Sequence, residues 1–322
     1  MIVAEYAHLR IAAATHPGMR GKLNEDRYSI TAFRSSSDDQ TPSVLAILAD
    51  GIGGHRAGEV AAQLAVENIK KFVSNSPASQ PIQVLQQALS HTNQLILNFA
   101  GANPALAGMG TTCVCAWVMA DRLYAASLGD SRLYLQRDEK IIRLTTDHTW
   151  VQEALAQGSL TPEQVKGHPN AHIIRRFLGS ANSTAPDLRL RLDPSESDTQ
   201  AEANQGLRLL PGDRLMLCSD GLTDLVVDAE ILDILRTRQL DQSPAQLIEL
   251  ANQRGGHDNI TVVAMEIPAP VPEAHPEPVL PALERKIVGK PQRSPISWWM
   301  TGMLIIAILS MVLLLVYLSN LR

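Results

Sequence analysis

Apolar residues in this chain come mostly in short runs, separated by polar and glycine-containing breaks. Val44 to Ala49, Thr111 to Met119, Arg122 to Leu128, Arg132 to Gln136, Arg214 to Cys218 and Ile260 to Ile267 are short and either apolar or alternating, which predicts strands. Asp121-Arg122 predicts a hairpin turn between two of them. Two longer segments carry a helical period. Glu59 to Val73 places Val60, Leu64, Val66 and Phe72 on an amphipathic helix, and Pro81 to Ala100 fits a second. Trp150 to Gln157 and Thr161 to Lys166 predict short helices, the latter with Thr161-Pro162-Glu163 as its start signal. Ser35 to Pro42 and Pro194 to Gln205 read as polar loops. Sequential hairpins with two long helices predict the α+β class, an antiparallel sandwich.

The pattern changes after residue 267. Pro268, Pro270, Pro272, Pro276, Pro278 and Pro281 block a helix or central strand, so 268–297 reads as a semi-stiff linker. Fully extended, it reaches on the order of 90 Å. Trp298 to Leu318 then runs without a charge. At ~1.5 Å per residue it spans about 30 Å, the thickness of a hydrocarbon core. Trp298, Trp299 and Tyr317 stand at its ends, as in an aromatic belt. Arg285, Lys286, Lys290 and Arg293 precede the run and only Arg322 follows it, which predicts a cytoplasmic N-terminal part. The expected organisation is a folded domain over 1–267, the linker, a transmembrane helix over 298–318 and a short tail over 319–322. That makes a single-pass, C-terminally anchored membrane protein whose domain is expected to be monomeric. Met1 to Arg10 lacks the apolar stretch of a signal peptide.

Composition narrows the function classes. Of 322 residues, 45% are hydrophobic and 19% charged, enough for a substantial core. A net charge of −5 and an aromatic content of 4%, with no basic stripe, exclude a general nucleic-acid binder. The 3 cysteines form no disulfide framework. Cys113 and Cys115 alternate on one strand and share a face, a placement that fits small core residues better than metal ligands. No cysteine has an arginine-bearing phosphate cradle around it, and no Gly-x4-Gly-Lys-[Ser/Thr] loop occurs.

The candidate chemistry lies in acidic motifs. Asn24-Glu25-Asp26, Asp50-Gly51-Ile52-Gly53-Gly54-His55, Ser219-Asp220-Gly221 and Asp258-Asn259 each place a carboxylate where a strand meets a loop. Converging carboxylates repel one another unless cations lie between them. Hard divalent ions such as Mg²⁺ and Mn²⁺ prefer such oxygen donors, and the constellation predicts metal-assisted hydrolysis of a phosphoester.

With Ala57-Gly58-Glu59, Gly110-Thr111-Thr112, Gly129-Asp130-Ser131-Arg132, Leu222-Thr223-Asp224 and Ile260-Thr261, these motifs resemble, in order, the bacterial branch of the metal-dependent protein phosphatase 2C family over roughly residues 8 to 267. The resemblance implies two packed antiparallel sheets flanked by helices, with the metal site at one edge, and a flap within Asp147 to Leu192. It implies that Asp50 bridges two Mn²⁺ or Mg²⁺ ions, that the Gly51 carbonyl, Asp220 and Asp258 bind the first, and that Glu25 reaches the second with Asp26 behind it. Asp130, with Asp220, is the counterpart of a pair that can hold a third ion. The implied activity is hydrolysis of phosphoserine and phosphothreonine in proteins, opposing a serine/threonine kinase. A catalytically weak phosphoprotein-binding module and a hydrolase of small phosphoesters are the alternatives.

Two positions depart from the family pattern. The arginine usual five residues before the aspartate of the first motif is replaced by Gly21, flanked by Arg20 and Lys22, which become the candidate phosphate clamp. His55, the candidate general acid, stands four residues after the glycine of Asp50-Gly51 rather than next to it, so orienting the loop is its other reading. Arg132 reads as structural.

Overall fold

The computed structural model describes residues 1–269 apart from 22, 53–55, 166 and 183–184. The chain opens with β1 (Ile2–Val3), β2 (Arg10–His16), β3 (Arg27–Arg34), β4 (Pro42–Ala49) and β5 (Gly51–Ile52). Two long helices follow, α1 (Arg56–Ser74) and α2 (Pro81–Ala102). Then come β6 (Gly110–Thr111), β7 (Cys113–Met119), β8 (Arg122–Leu128), β9 (Arg132–Arg137) and β10 (Lys140–Arg143). The last part holds α3 (Trp150–Ala156), α4 (Pro162–Val165), α5 (Asp198–Ala203), β11 (Leu207–Arg208), β12 (Arg214–Cys218), α6 (Asp220–Thr223), α7 (Asp228–Thr237), α8 (Ser243–Gln253) and β13 (Ile260–Glu266).

Two antiparallel sheets result, ordered β1-β3-β4-β7-β8-β11 and β10-β9-β12-β13-β2, with a small β5-β6 ladder beside them. β4 shows why they stack. Leu45, Ile47 and Ala49 face one cluster with Ala61, Ala65, Ile69, Leu85 and Leu89 of the long helices. Val44, Ala46 and Leu48 face the other way, into a cluster with Leu133, Leu135, Leu215, Leu217 and Val263 of the second sheet. A strand covered on both faces must be apolar along its covered length, and β4 is so from Val44 to Ala49. The second sheet turns Met216, Cys218 and Val262 outward onto Ile231, Leu235, Leu247 and Ala251 of α7 and α8. The layers are therefore helix, sheet, sheet, helix, as the α+β reading expects.

Antiparallel register sends the acidic loops to one edge. β3 begins where β4 ends, Arg27 opposite Ala49. β7 begins where β8 ends, Cys113 opposite Leu128. β12 ends at Cys218 opposite Arg132 at the start of β9 and near the start of β13. Asp26, Asp50, Thr112, Asp130, Ser219 and Asp258 thus leave their strands at the same end of the sandwich.

Several predicted bounds move. The turn sits at Ala120-Asp121, with Ala120 at φ 49° and Met119 paired to Arg122, so Arg122 is already strand. The expected strand from Thr111 breaks at Thr112, which is spent on hydrogen bonds to Asp50 instead. The polar stretch 194–205 contains α5, held by a capping box between Ser197 and Gln200. The elements predicted from the sequence do not include strands β1, β2, β3, β5, β10 and β11 or helices α6, α7 and α8. Cys113 and Cys115 are free, buried and on one face, with sulfurs 3.7 Å apart. Among the described residues no helix is long and apolar enough to cross a membrane. The linker expected from residue 268 and the span at 298–318 lie outside the described residues, except for 268 and 269.

Candidate active site

Ser219 is the hub of the acidic edge. It is fully buried at the end of β12. Its Oγ donates to Asp26 Oδ2 at 2.9 Å and accepts from the Thr261 backbone N–H at 3.0 Å. Asp26 is turned inward by its neighbour, its N–H donating to Asn24 Oδ1 at 3.1 Å. The Asn24 amide in turn donates to Thr15 Oγ1, which lies 2.7 Å from Thr261 Oγ1. One carboxylate oxygen of Asp26 is satisfied in this way. The other, Oδ1, is buried without a hydrogen-bond partner.

Asp50 is set by the break between β6 and β7. Its N–H donates to Thr112 Oγ1 at 3.0 Å, and its carbonyl accepts from the Thr112 N–H and the Thr111 hydroxyl, each at 2.8 Å. Thr112 Oγ1 also lies 2.7 Å from Ser131 Oγ, which couples this loop to the one carrying Asp130. The next residue, Gly51, lies against Gly58 at the start of α1. A Cβ at Gly51 would sit 2.4 Å from the Gly58 carbonyl group, and one at Gly58 would sit 2.6 Å from Glu25 Oε2. Only two glycines allow the α1 turn, the Asp50 loop and Glu25 to approach this closely.

Asn259 fixes the loop before β3. Its Oδ1 accepts from the Glu25 N–H at 2.7 Å, and its amide donates to the Pro17 and Leu23 carbonyls at 3.1 and 3.0 Å. Its own N–H donates to Asp258 Oδ1 at 2.9 Å. Gly221 packs against the same segment, so close that a Cβ would meet the Asn259 carbonyl oxygen at 2.1 Å. Glu25, Asp258 and Asp220 are held together through these contacts. Arg20 is exposed on the 17–25 loop, next to Gly21 at φ 68°. Lys22 and His55 lie outside the described residues.

The electrostatics follow from the crowding. Burial, and then the charges of Asp220 and Asp258, push Asp26 up to about 7 against its bonds from Thr261 and Ser219. Burial, with Asp224 and Asp258 nearby, pushes Asp220 up to about 6. Asp50 is driven well above the carboxylate range by desolvation and by Asp26, Asp220 and Asp130. Asp130 is driven up likewise by desolvation, Asp220 and Asp147. Its Oδ1, like that of Asp26, is buried without a partner. The guanidinium acting on Asp130 is already committed: Arg132 forks onto Asp147 at 2.8 to 3.2 Å and reaches the Tyr134 hydroxyl, in line with a structural role. Mutually repelling carboxylates, orphaned buried oxygens and an all-oxygen donor set fit a hard divalent cation.

Ser219, Thr261, Thr112 and Asn259 stand within the sequence motifs, but their role as a hydrogen-bonding frame is visible only in the fold. The same holds for the closeness of Asp224, His172 and His257 to the cluster. Asp224 had a legible signal, since it stands four residues after Asp220 across a helical turn; the two histidines had none. The segment between Asp147 and Leu192 is tied down at isolated bridges, Thr149 to Ile174, Thr111 to Leu178 and Ser127 to Asp187.

Residues 18–259 match the family model described as protein phosphatase 2C. A putative protein phosphatase 2C-type of Streptococcus pyogenes is 33% identical over 258 residues, covering 79% of this chain and 96% of that protein. The serine/threonine protein phosphatase PstP of Mycobacterium tuberculosis is 36% identical over 80% of this chain and 45% of that protein, so the match spans about half of that relative's length. A crystal structure of the catalytic domain of PstP in complex with two manganese ions covers 81% of this chain and 99% of that one, at 34% identity and a TM-score of 0.65.

Proposed function

Because the chain belongs to the protein phosphatase 2C family, we propose that it hydrolyses phosphoserine and phosphothreonine in proteins in a reaction dependent on Mn²⁺ or Mg²⁺. The observation that carries this reading is the set of carboxylates from separate loops, raised in pKa by burial and by one another, with buried oxygens left over. In this reading Asp50, the Gly51 carbonyl, Asp220, Asp258 and Glu25, with Asp26 behind Glu25, would hold the ions, and Asp130 with Asp220 would hold a further one. The metals supply a water of lowered pKa and neutralise charge on the phosphoryl group.

The remaining roles fall to the chain's own side chains. Arg20 and Lys22 bind the phosphate dianion, Arg20 from the exposed loop that Asn259 steadies. His55 delivers a proton to the leaving seryl or threonyl oxygen. Ser219, Thr261 and Asn259 hold Asp26 and Glu25 in place. Phosphorylated proteins are the substrates and a serine/threonine kinase the opposing partner. Residues 1–267 form the catalytic domain, with 268–297 as linker, 298–318 as a single membrane span and 319–322 as its tail. The domain then stands on the cytoplasmic side.

Chelation tests the reading. Turnover of a phosphothreonine peptide should vanish with full metal removal and return with Mn²⁺ or Mg²⁺, while a nucleotide is cleaved poorly. Turnover that survives metal removal, or a preference for the nucleotide, would reject it.

A further inference from the structure

Asp220 begins α6 and Asp224 caps its end, the Asp224 N–H donating to the Asp220 carbonyl at 2.9 Å. One helical turn apart, they project from the same face. Two imidazoles approach that face from other segments. His172 Nδ1 lies 3.5 Å from Asp224 Oδ2, and His257 Nε2 lies 3.8 Å from the same oxygen. Donor atoms of His172, Asp220 and Asp224 all fall within 4.8 Å of one another. The His172 backbone is braced by the bridge from Thr149 to Ile174 and by the Trp150 N–H donating to the Ile173 carbonyl at 2.8 Å. His257 directly precedes Asp258.

We propose that His172, Asp224 and Asp220, with His257 beside them, form a second kind of metal site, for a borderline transition-metal ion of the zinc type. Four-coordinate zinc with bonds of ~2.0–2.2 Å holds its donors roughly 3.3–3.6 Å apart, close to the spacing of these side chains before any ion draws them in. The donor set separates this site from the main acidic cluster. That cluster is all oxygen and suits Mg²⁺ or Mn²⁺, whereas imidazole nitrogens favour zinc. The His172 side chain is 66% exposed, so an ion can enter from solvent. The sites share Asp220, so zinc here withdraws a carboxylate from the hard-metal set. It also pins the segment carrying His172 to α6. Zinc is therefore expected to inhibit the magnesium-loaded enzyme without competing for every hard-metal position.

The test is metal binding by the full-length chain in excess Mg²⁺, followed by equilibrium dialysis with Zn²⁺ and by the visible absorption of Co²⁺ as a spectroscopic stand-in. The expected result is one Zn²⁺ retained against Mg²⁺ and Co²⁺ bands of a nitrogen-containing, four-coordinate site. His172→Ala and His257→Ala should each weaken Zn²⁺ retention at least about tenfold, the scale set by lost metal-site partners. His172 is exposed and His257 half-buried, both outside the hydrophobic core clusters, so the variants should melt close to the parent. Asp224→Asn offers a third route to the same loss. Zinc inhibition should weaken in parallel. Zn²⁺ retention unchanged in the double histidine variant, or Zn²⁺ fully displaced by Mg²⁺ from the parent, would overturn the site. Because binding is read directly, neither result depends on which phosphoester the enzyme cleaves.

Discussion

Asp50 and Asp258 enter the acidic cluster from loops of different sheets, Asp50 after β4 and Asp258 before β13. Asp50→Ala and Asp258→Ala should each lower kcat more than about a hundredfold, the scale on which losing a metal ligand abolishes water activation. Steady-state kinetics on a phosphopeptide, with folding checked by circular dichroism, would read this; a near-normal rate would place the chemistry elsewhere. Arg20→Ala with Lys22→Ala should raise KM for the same peptide, and an unchanged KM would move the phosphate clamp elsewhere. Gly21→Arg, which restores the arginine usual in the family, meets no neighbour within 4 Å but stands at φ 68°. It should cost about 1–2 kcal/mol of backbone strain, a lower melting temperature alongside any gain in phosphate binding. At this scale the sequence announced the carboxylates because each sits beside a glycine or asparagine in a compact motif. The frame behind them was harder to see. Nothing in the order of residues says that Asn259 joins Pro17, Leu23 and Glu25 across the fold, since those contacts are a product of register.

Elements were legible where packing demanded a pattern. β4 is apolar from Val44 to Ala49 because both its faces are covered, and α1 and α2 keep a helical stripe because one face is. β2 was opaque for the opposite reason: its Ala12, Ala13 and Ala14 carry little strand preference, and pairing with β13 imposes the conformation. The start of α8 carries a signal in the sequence, a proline in the first turn at Ser243-Pro244. Between the elements, Asp187 ties the 147–192 segment to β8 and its surroundings. Burial would raise its pKa, but bonds from His148 and Arg189 outweigh that and hold it below the usual carboxylate range. A carboxylate depressed in the folded state contributes stability above its unfolded pKa of about 3.9, and the contribution fades as pH falls through the folded value. Asp187→Asn should therefore cost about 3 kcal/mol near pH 7, as expected for breaking a buried ion pair. The melting difference between parent and variant should shrink as pH drops below about 4. A gap independent of pH would mean that shape, not charge, is what Asp187 supplies.

For the whole molecule, the proposed division after Ile267 makes a direct prediction. A chain ending there contains both sheets and the helices covering them, so it should stay soluble and monomeric. It should turn over a soluble phosphopeptide as fast as the full-length chain, and act more slowly only on membrane-bound phosphoproteins, where anchoring raises effective concentration. Failure of the shortened chain to fold, or release of the full-length chain from membranes by high salt, would count against the division. The antiparallel register has one more consequence. Because every site-bearing loop leaves its strand at one edge, the opposite edge is left to the 35–41 loop, the Ala120-Asp121 turn, the Asp138-Glu139 turn and the end of β13. That edge is where a fluorescent reporter or an affinity handle can be spliced into the chain, a full strand length away from the chemistry it would report on.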